Sequence, residues 1–287
     1  MNSEELIRDG WGLAAPYRFA EPNRTPRART GFQRGALAGS SLDYKDFREY
    51  RPGDDLRHLD WGAYARTDKM IVKRYHEEVI PHLDLILDTT SSMDLPHGRK
   101  RDALVFLAAF FAGVAANSGY SRRTWLMGER CEPMPHDREE PFTWPDLTCD
   151  SGCSPAPALL ERCPSLRRMG MRVVISDLLW PEQPESILAA LAAESAAVLL
   201  VRLMGQSDLE PPKRGKLRLV DSETGTTREV LVDPATYERY QQRLSQHRSA
   251  WETAARKSGV GLAWINAEAM MAQPDFSDPA LQRFLKI

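Results

Sequence analysis

The chain has 287 residues, a net charge of −2 and a hydrophobic share of 42%, with 27% charged residues. This composition is ordinary for a globular protein, and the near-zero charge argues against a molecule built to bind polyanions. The longest apolar run, residues 104–116, falls short of the roughly 20 residues that span a bilayer.

The start of the chain, residues 1–5, has neither a basic nor an apolar region, so we expect no signal peptide, no membrane span and a cytoplasmic location. The four cysteines match no common zinc spacing, so we expect reduced thiols.

The pattern changes near residue 80, and we predict two domains. Residues 1–79 are arginine-rich with little helical periodicity, and Leu42–Tyr50 and Met70–Glu78 are predicted to be extended. We therefore predict a β-rich N-terminal extension over 1–79. Arginines and aromatic residues interleave there, which also permits nucleic-acid binding. Acidic residues are mixed in, however, and favour internal ion pairs, so we expect no nucleic-acid partner.

Residues 80–287 alternate between apolar strands and helices, which predicts an α/β domain with a mainly parallel sheet covered on both faces. The predicted strands and helices, in chain order, are His82–Asp88, Arg99–Asn117, Arg123–Met127, Pro155–Arg162, Met171–Asp177, Pro184–Ala193, Ala197–Leu203, a hairpin of Lys216–Val220 with Thr227–Val232, Pro234–Ser258, Val260–Ile265 and Pro279–Leu285.

Oxygen-bearing side chains follow two of these strands. Asp88, Thr90 and Ser92 follow the first strand, and Asp177 ends a later one. Ligands of open α/β sheets bind at the carboxyl ends of the strands, and carboxylates with hydroxyls suit a hard cation. The opposing interpretation is that these side chains only cap turns and loop backbone.

This pattern resembles the von Willebrand factor A-type fold and its metal-ion-dependent adhesion site. The resemblance implies a Mg²⁺ or Mn²⁺ site formed by Asp88, Thr90, Ser92 and Asp177, with Ser154 in the place of the family's threonine. Thr148 is the alternative to Ser154.

A longer run, Asp46–Trp61, resembles the signature of a bacterial family of unknown function that is associated with MoxR-type AAA+ ATPases. The residues that carry it, with no assigned role, are Arg48, Arg51, Asp54, Asp55, Arg57, Asp60 and Trp61, of which Trp61 is expected to pack inward together with Leu59. The resemblance implies a non-enzymatic, protein-binding adaptor that works with such an ATPase on an unidentified client protein.

An enzymatic alternative stays open. An apolar strand ending in Asp-x-Thr, with a later strand ending in Asp, also resembles haloacid-dehalogenase-type phosphatases, in which Asp88 would be the nucleophile. Thr90 stands where such an enzyme needs its general acid, which disfavours this function.

Overall fold

A computed structural model describes residues 2–21, 44–51, 59–75, 81–95, 98–162, 166–212 and 214–287. Contacts divide the chain into two compact units: residues 26–80 form the smaller one, and residues 1–25 with 81–287 form the larger one. The first 25 residues therefore belong to the larger unit and not to the N-terminal extension. The reason is helix α1, Ser3–Leu13, whose Leu6 and Ile7 are buried in the core of the larger unit.

The described residues of the smaller unit include a pair of antiparallel strands and a short helix. Strand β2, Tyr44–Glu49, pairs antiparallel with β3, Ile71–Tyr75, and helix α2, Trp61–Thr67, lies between them in the chain. Both predicted extended pieces are thus strands, at least where the structure describes them.

The larger unit is built on a six-stranded sheet in the order β11-β8-β7-β4-β5-β6, in which every neighbouring pair is parallel except β5 and β6. This confirms the predicted α/β class with a mainly parallel sheet. The strands of the larger unit are β1 Arg18–Phe19, β4 His82–Asp88, β5 Ser121–Met127, β6 Cys131–Pro133, β7 Met171–Ser176, β8 Ala197–Met204, β9 Gly215–Val220, β10 Thr227–Val232, β11 Gly261–Asn266 and β12 Leu285–Lys286.

Helices cover both faces of this sheet, because side chains alternate along each strand. Leu83, Leu85 and Leu87 of β4 belong to the core on one face and Ile86 to the core on the other. The helices on the first face are α1, α3 Lys100–Asn117, α8 Ala267–Ala272 and α9 Pro279–Phe284. Those on the second face are α4 Ala156–Arg162, α5 Pro184–Ala192 and α7 Pro234–Ser258, and a short α6, Gln206–Leu209, follows β8.

Helix α3 is buried around most of its circumference, as its apolar sequence predicts. It is enclosed because α1 packs on its outer side at very close range. A Cβ atom on Gly10 would lie 2.2 Å from the backbone oxygen of Phe106, so only glycine fits at this crossing. No helix in the described ranges is both long and apolar enough to cross a bilayer.

The cysteines of the larger unit differ from one another. Cys149 and Cys153 are free thiols, and burial is the main cause that raises the pKa of Cys149 to about 12. Cys131 is disulfide-bonded, so the prediction of reduced thiols is wrong for this residue.

Candidate functional site

The first loop of the candidate site follows strand β4. Asp88 is the last residue of that strand and has no solvent exposure. Its Oδ1 accepts hydrogen bonds from the backbone N–H of Thr90 at 3.0 Å and from the Thr90 hydroxyl at 2.7 Å. The Thr90 hydroxyl also lies 3.1 Å from the hydroxyl of Ser92. The Asp-x-Thr-x-Ser spacing thus brings one carboxylate and two hydroxyls together.

The other oxygen of Asp88 is held from strand β7 and the segment after it. Its Oδ2 accepts hydrogen bonds from the Ser176 hydroxyl at 2.5 Å and from the indole N–H of Trp180 at 3.3 Å. All four donors to Asp88 are neutral groups. Burial, followed by the negative charge of Asp177, raises the pKa of Asp88 to about 6, although the hydrogen bonds oppose this shift.

Asp177 follows the neighbouring strand and is also buried. Its Oδ2 accepts a hydrogen bond from Ser92 at 2.9 Å, and its Oδ1 accepts one from the backbone N–H of Leu179 at 3.1 Å. Leu178 adopts a φ of 53°, an uncommon conformation for a bulky residue. This turn directs the Asp177 carboxylate back toward Ser92, so the structure joins Asp88, Thr90, Ser92 and Asp177 in one hydrogen-bonded chain.

A lysine that sequence reasoning missed closes this chain. The Nζ of Lys100, the first residue of α3, lies 3.0 Å from Asp177 Oδ2 and 2.9 Å from Asp208 Oδ2, and its side chain is 2% exposed. Burial lowers the pKa of Lys100, but the two carboxylates raise it by more, so the amine is charged. A cation is unfavourable at a helix N-terminus, but Lys100 stands between Arg99 and Arg101 in the sequence, so no signal singled it out.

Asp208 and Arg202 complete the surroundings of Asp177. Asp208 Oδ2 also accepts the backbone N–H of Gly205 at 3.0 Å. Arg202 is 1% exposed, and its Nε donates to the backbone oxygen of Asp177 at 2.9 Å. Burial lowers the pKa of Arg202 to about 10, and its guanidinium lies 4.6 Å from the centre of the Trp264 ring. The loop after β7 is therefore fixed through both the side chain and the backbone of Asp177.

The second loop of the candidate site, residues 151–155 before α4, reaches the site through its backbone and not through Ser154. Ser151 forms a parallel bridge with Thr90, and its carbonyl oxygen accepts the N–H of Ser91 at 3.0 Å. The Ser154 hydroxyl instead donates to Glu182 at 2.8 Å and bonds to none of the other four predicted ligands. The structure therefore does not bring Ser154 into the hydrogen-bonded chain from Asp88 to Asp177. The alternative, Thr148, is exposed.

The donor set can be tested against a magnesium ion. An octahedral ion with bonds of about 2.0–2.1 Å places neighbouring ligand oxygens about 2.8–3.0 Å apart. The three successive oxygen contacts from Asp88 to Asp177 are 2.7, 3.1 and 2.9 Å long, close to these separations. No group of three or more histidines, cysteines and acids that could hold a metal occurs in the described ranges, so any ion here would depend on the two hydroxyls.

The arginine-rich motif of the smaller unit is described only in part. Asp60 is the N-cap of α2, and its Oδ1 accepts the N–H of Ala63 at 2.9 Å. Leu59 is buried as expected, but Trp61 is 63% exposed, so the expectation that it packs inward is wrong. It occupies the first position of α2 and contacts Tyr64 edge-to-face.

For the other residues of the motif, the structure gives at most a position in the chain and a degree of exposure. Arg48 lies in β2 and is half-buried, and Arg51 is exposed just after that strand. Asp54, Asp55 and Arg57 lie outside the described residues, as do the arginines between residues 22 and 43.

A family model described as "Protein of unknown function DUF58" matches residues 46–140 and 151–250. The chain belongs to this family. The match includes the partly described motif and the loops that carry Asp88 and Asp177.

The relatives are uncharacterized proteins. One from Mycobacterium tuberculosis and one from Mycobacterium bovis are each 30% identical over 249 residues, covering 82% of this chain and 77% of the relative. Among solved structures, the crystal structure of an aerotolerance-related membrane protein from Bacteroides fragilis aligns at 12% identity with a TM-score of 0.28. It covers 62% of this chain and 98% of that one.

Proposed function

We propose that this chain is a non-enzymatic adaptor that binds a partner protein through a divalent cation, Mg²⁺ or Mn²⁺, held by Asp88, Thr90, Ser92 and Asp177. The observation that carries the proposal is the continuous chain of oxygen contacts between these residues at the carboxyl edge of the sheet. In this proposal the domain is von Willebrand A-like and the ion is left with an open position for an acidic side chain of the partner.

The charge balance within the cluster supports this choice. The Lys100 ammonium neutralises Asp177 together with Asp208, whereas Asp88 is surrounded by neutral donors. A buried carboxylate without a counter-charge is costly, so a cation near Asp88 Oδ1 would relieve this cost. Lys100 then stabilises the metal-free protein and competes with the ion for Asp177.

We further propose that the partner is a MoxR-type AAA+ ATPase, that the pair remodels or matures a client protein, and that it acts in the cytoplasm. This part rests on the resemblance of the Asp46–Trp61 run alone. Affinity capture of the tagged chain with and without Mg²⁺ tests it, and enrichment of an unrelated set of proteins in both conditions would contradict it.

The phosphatase alternative is disfavoured by the state of Asp88. A nucleophilic carboxylate has to reach the substrate, but Asp88 has no solvent exposure, and Thr90 stands where such an enzyme needs its general acid. A phosphatase screen with Mg²⁺ should find no turnover, and turnover that disappears in Asp88→Asn would favour the enzyme. The nucleic-acid alternative stays a prediction for the arginine-rich segment.

The metal proposal is tested by titration calorimetry with Mn²⁺. We expect the wild type to bind and Asp88→Ala to lose at least about tenfold in affinity, because a charged ligand disappears. Ser154→Ala is the matched control and should bind as the wild type does, since its hydroxyl is bonded to Glu182. Circular dichroism checks that both variants fold. Equal and negligible heats for the wild type and Asp88→Ala would refute the metal site.

A further inference from the structure

A two-stranded hairpin of the larger unit ends against the candidate site. Strands β9 and β10 pair antiparallel, and residues 221–226 between them form what we call the hairpin tip. The hydroxyl of Ser91 in the first loop donates to the backbone oxygen of Ser222 at 2.6 Å. A Cβ atom on Gly152 in the second loop would lie 2.6 Å from the backbone oxygen of Glu223. The tip therefore lies against the first loop, at Ser91, and against the second loop, at Gly152.

Glu223 brings a further carboxylate to this place. It is half-buried, and burial raises its pKa, as do the negative charges of Asp221, Asp177 and Glu182. The neighbouring charges that shift this pKa are all carboxylates, and like charges brought together are unfavourable. A cation bound between Glu223 and the candidate site would turn this repulsion into attraction.

The tip is shaped so that Glu223 stays in place. The Asp221 carboxylate accepts the backbone N–H groups of Glu223 and Thr224 at 2.9 and 2.8 Å, a local turn that fixes the chain direction. The contacts through Ser91 and Gly152 then set its distance from the loops. These contacts hold the backbone of Glu223 beside the two loops.

We propose that the hairpin tip is the chain's own ligand for the candidate site, with Glu223 in the position that an acidic side chain of the partner protein takes. The proposal rests on the proposed function, because it needs a partner that binds through an acidic residue. The partner's binding element would be a turn or loop with a central Asp or Glu, and it would have to displace the tip.

The position of the tip is tested without metal, by hydrogen exchange of residues 89–95 in the full chain. In Gly152→Val the added side chain should push the tip away, and exchange in this segment should rise about fivefold or more. A second variant replaces residues 221–226 by Asn-Gly, which suits a two-residue hairpin turn between Val220 and Thr227. It should have the same effect. Unchanged exchange in both folded variants would overturn the proposal.

The role of Glu223 is tested by repeating the exchange with saturating Mn²⁺. The ion should slow exchange of residues 89–95 in the wild type and do so much less in Glu223→Gln. Glu229→Gln, an exposed residue on β10 that pairs with Lys216, is the control and should behave as the wild type. Equal slowing in Glu223→Gln and the control would contradict the role of Glu223. If Mn²⁺ binds to none of these proteins, the metal proposal is refuted. The hairpin tip would then still cover the two loops, but it would not act as a ligand of a metal site.

Discussion

The two buried carboxylates of the candidate site are held in opposite ways. Asp88 receives four hydrogen bonds from neutral groups, whereas Asp177 faces the ammonium of Lys100, which it shares with Asp208. Asp88 ends β4, Asp177 follows the neighbouring parallel strand β7, and both are buried. The comparison teaches that burial alone does not decide the charge balance, because Lys100 of α3 pairs with Asp177, whereas the hydrogen bonds to Asp88 all come from neutral groups.

The largest effect is expected when the internal cation is removed. Lys100→Met keeps the length of the side chain but removes the ion pairs with buried Asp177 and half-buried Asp208, so the free energy of unfolding should fall by about 3–5 kcal/mol. Urea denaturation at neutral pH measures it. Lys216→Met, which breaks the exposed pair with Glu229, should cost less than about 1 kcal/mol. Equal losses in the two variants would show that Lys100 does not neutralise the buried acids.

The pH dependence of stability should report the raised pKa of Asp88. Because the folded-state pKa of Asp88 is raised from 3.8 to about 6, the native state holds this proton more tightly than the unfolded chain does. The stabilisation that protonated Asp88 contributes to the folded state is therefore fully present below pH 3.8, and it is lost as the pH rises to about 6. Its loss amounts to about 3 kcal/mol.

Asp88→Asn removes this titration. Its free energy of unfolding, taken relative to the wild type by urea denaturation at a series of pH values, should improve between pH 4 and pH 6 and then stay level. Asp94→Asn is the control, an exposed carboxylate close in sequence. A constant difference between Asp88→Asn and the wild type across this range would count against the raised pKa.

A smaller effect is expected from the hydroxyl that joins the two carboxylates. Thr90→Val keeps the shape but removes the donor to Asp88 Oδ1, and the loss should be about 1–3 kcal/mol. Thr90→Ser keeps the hydroxyl and should lose clearly less. Thermal unfolding at neutral pH compares the two variants with the wild type. A similar midpoint for all three proteins would mean that neutral donors do not stabilise Asp88.

The sequence predicts the sheet and the two carboxylates for the same reason. Buried parallel strands are continuous apolar runs, so the strands that end in Asp88 and Ser176 are visible without a structure. The residues after them must then meet at one edge. Helix α1 was missed because its two glycines lower helix propensity, although Gly10 is required by the close contact with Phe106.

The rest of the candidate site depends on contacts that leave little trace in sequence. Lys100 and Asp208 meet only because β8 lies beside β7 and α3 starts near both. Ser154 was predicted from a loop with no periodic pattern, and its partner Glu182 comes from another segment. The DUF58 match shows that the chain belongs to this family, but it assigns no role to any of these residues.

The pairing of β1 with β12 has a consequence for biosynthesis. Arg18 and Phe19 pair with Lys286 and Leu285, so β1 is synthesised long before its partner strand β12. Translation proceeds at about 5–20 residues per second, so for many seconds Phe19 has no strand partner. A nascent chain stalled before residue 285 would keep this strand edge open, which makes unfinished copies candidates for chaperone binding or misassembly.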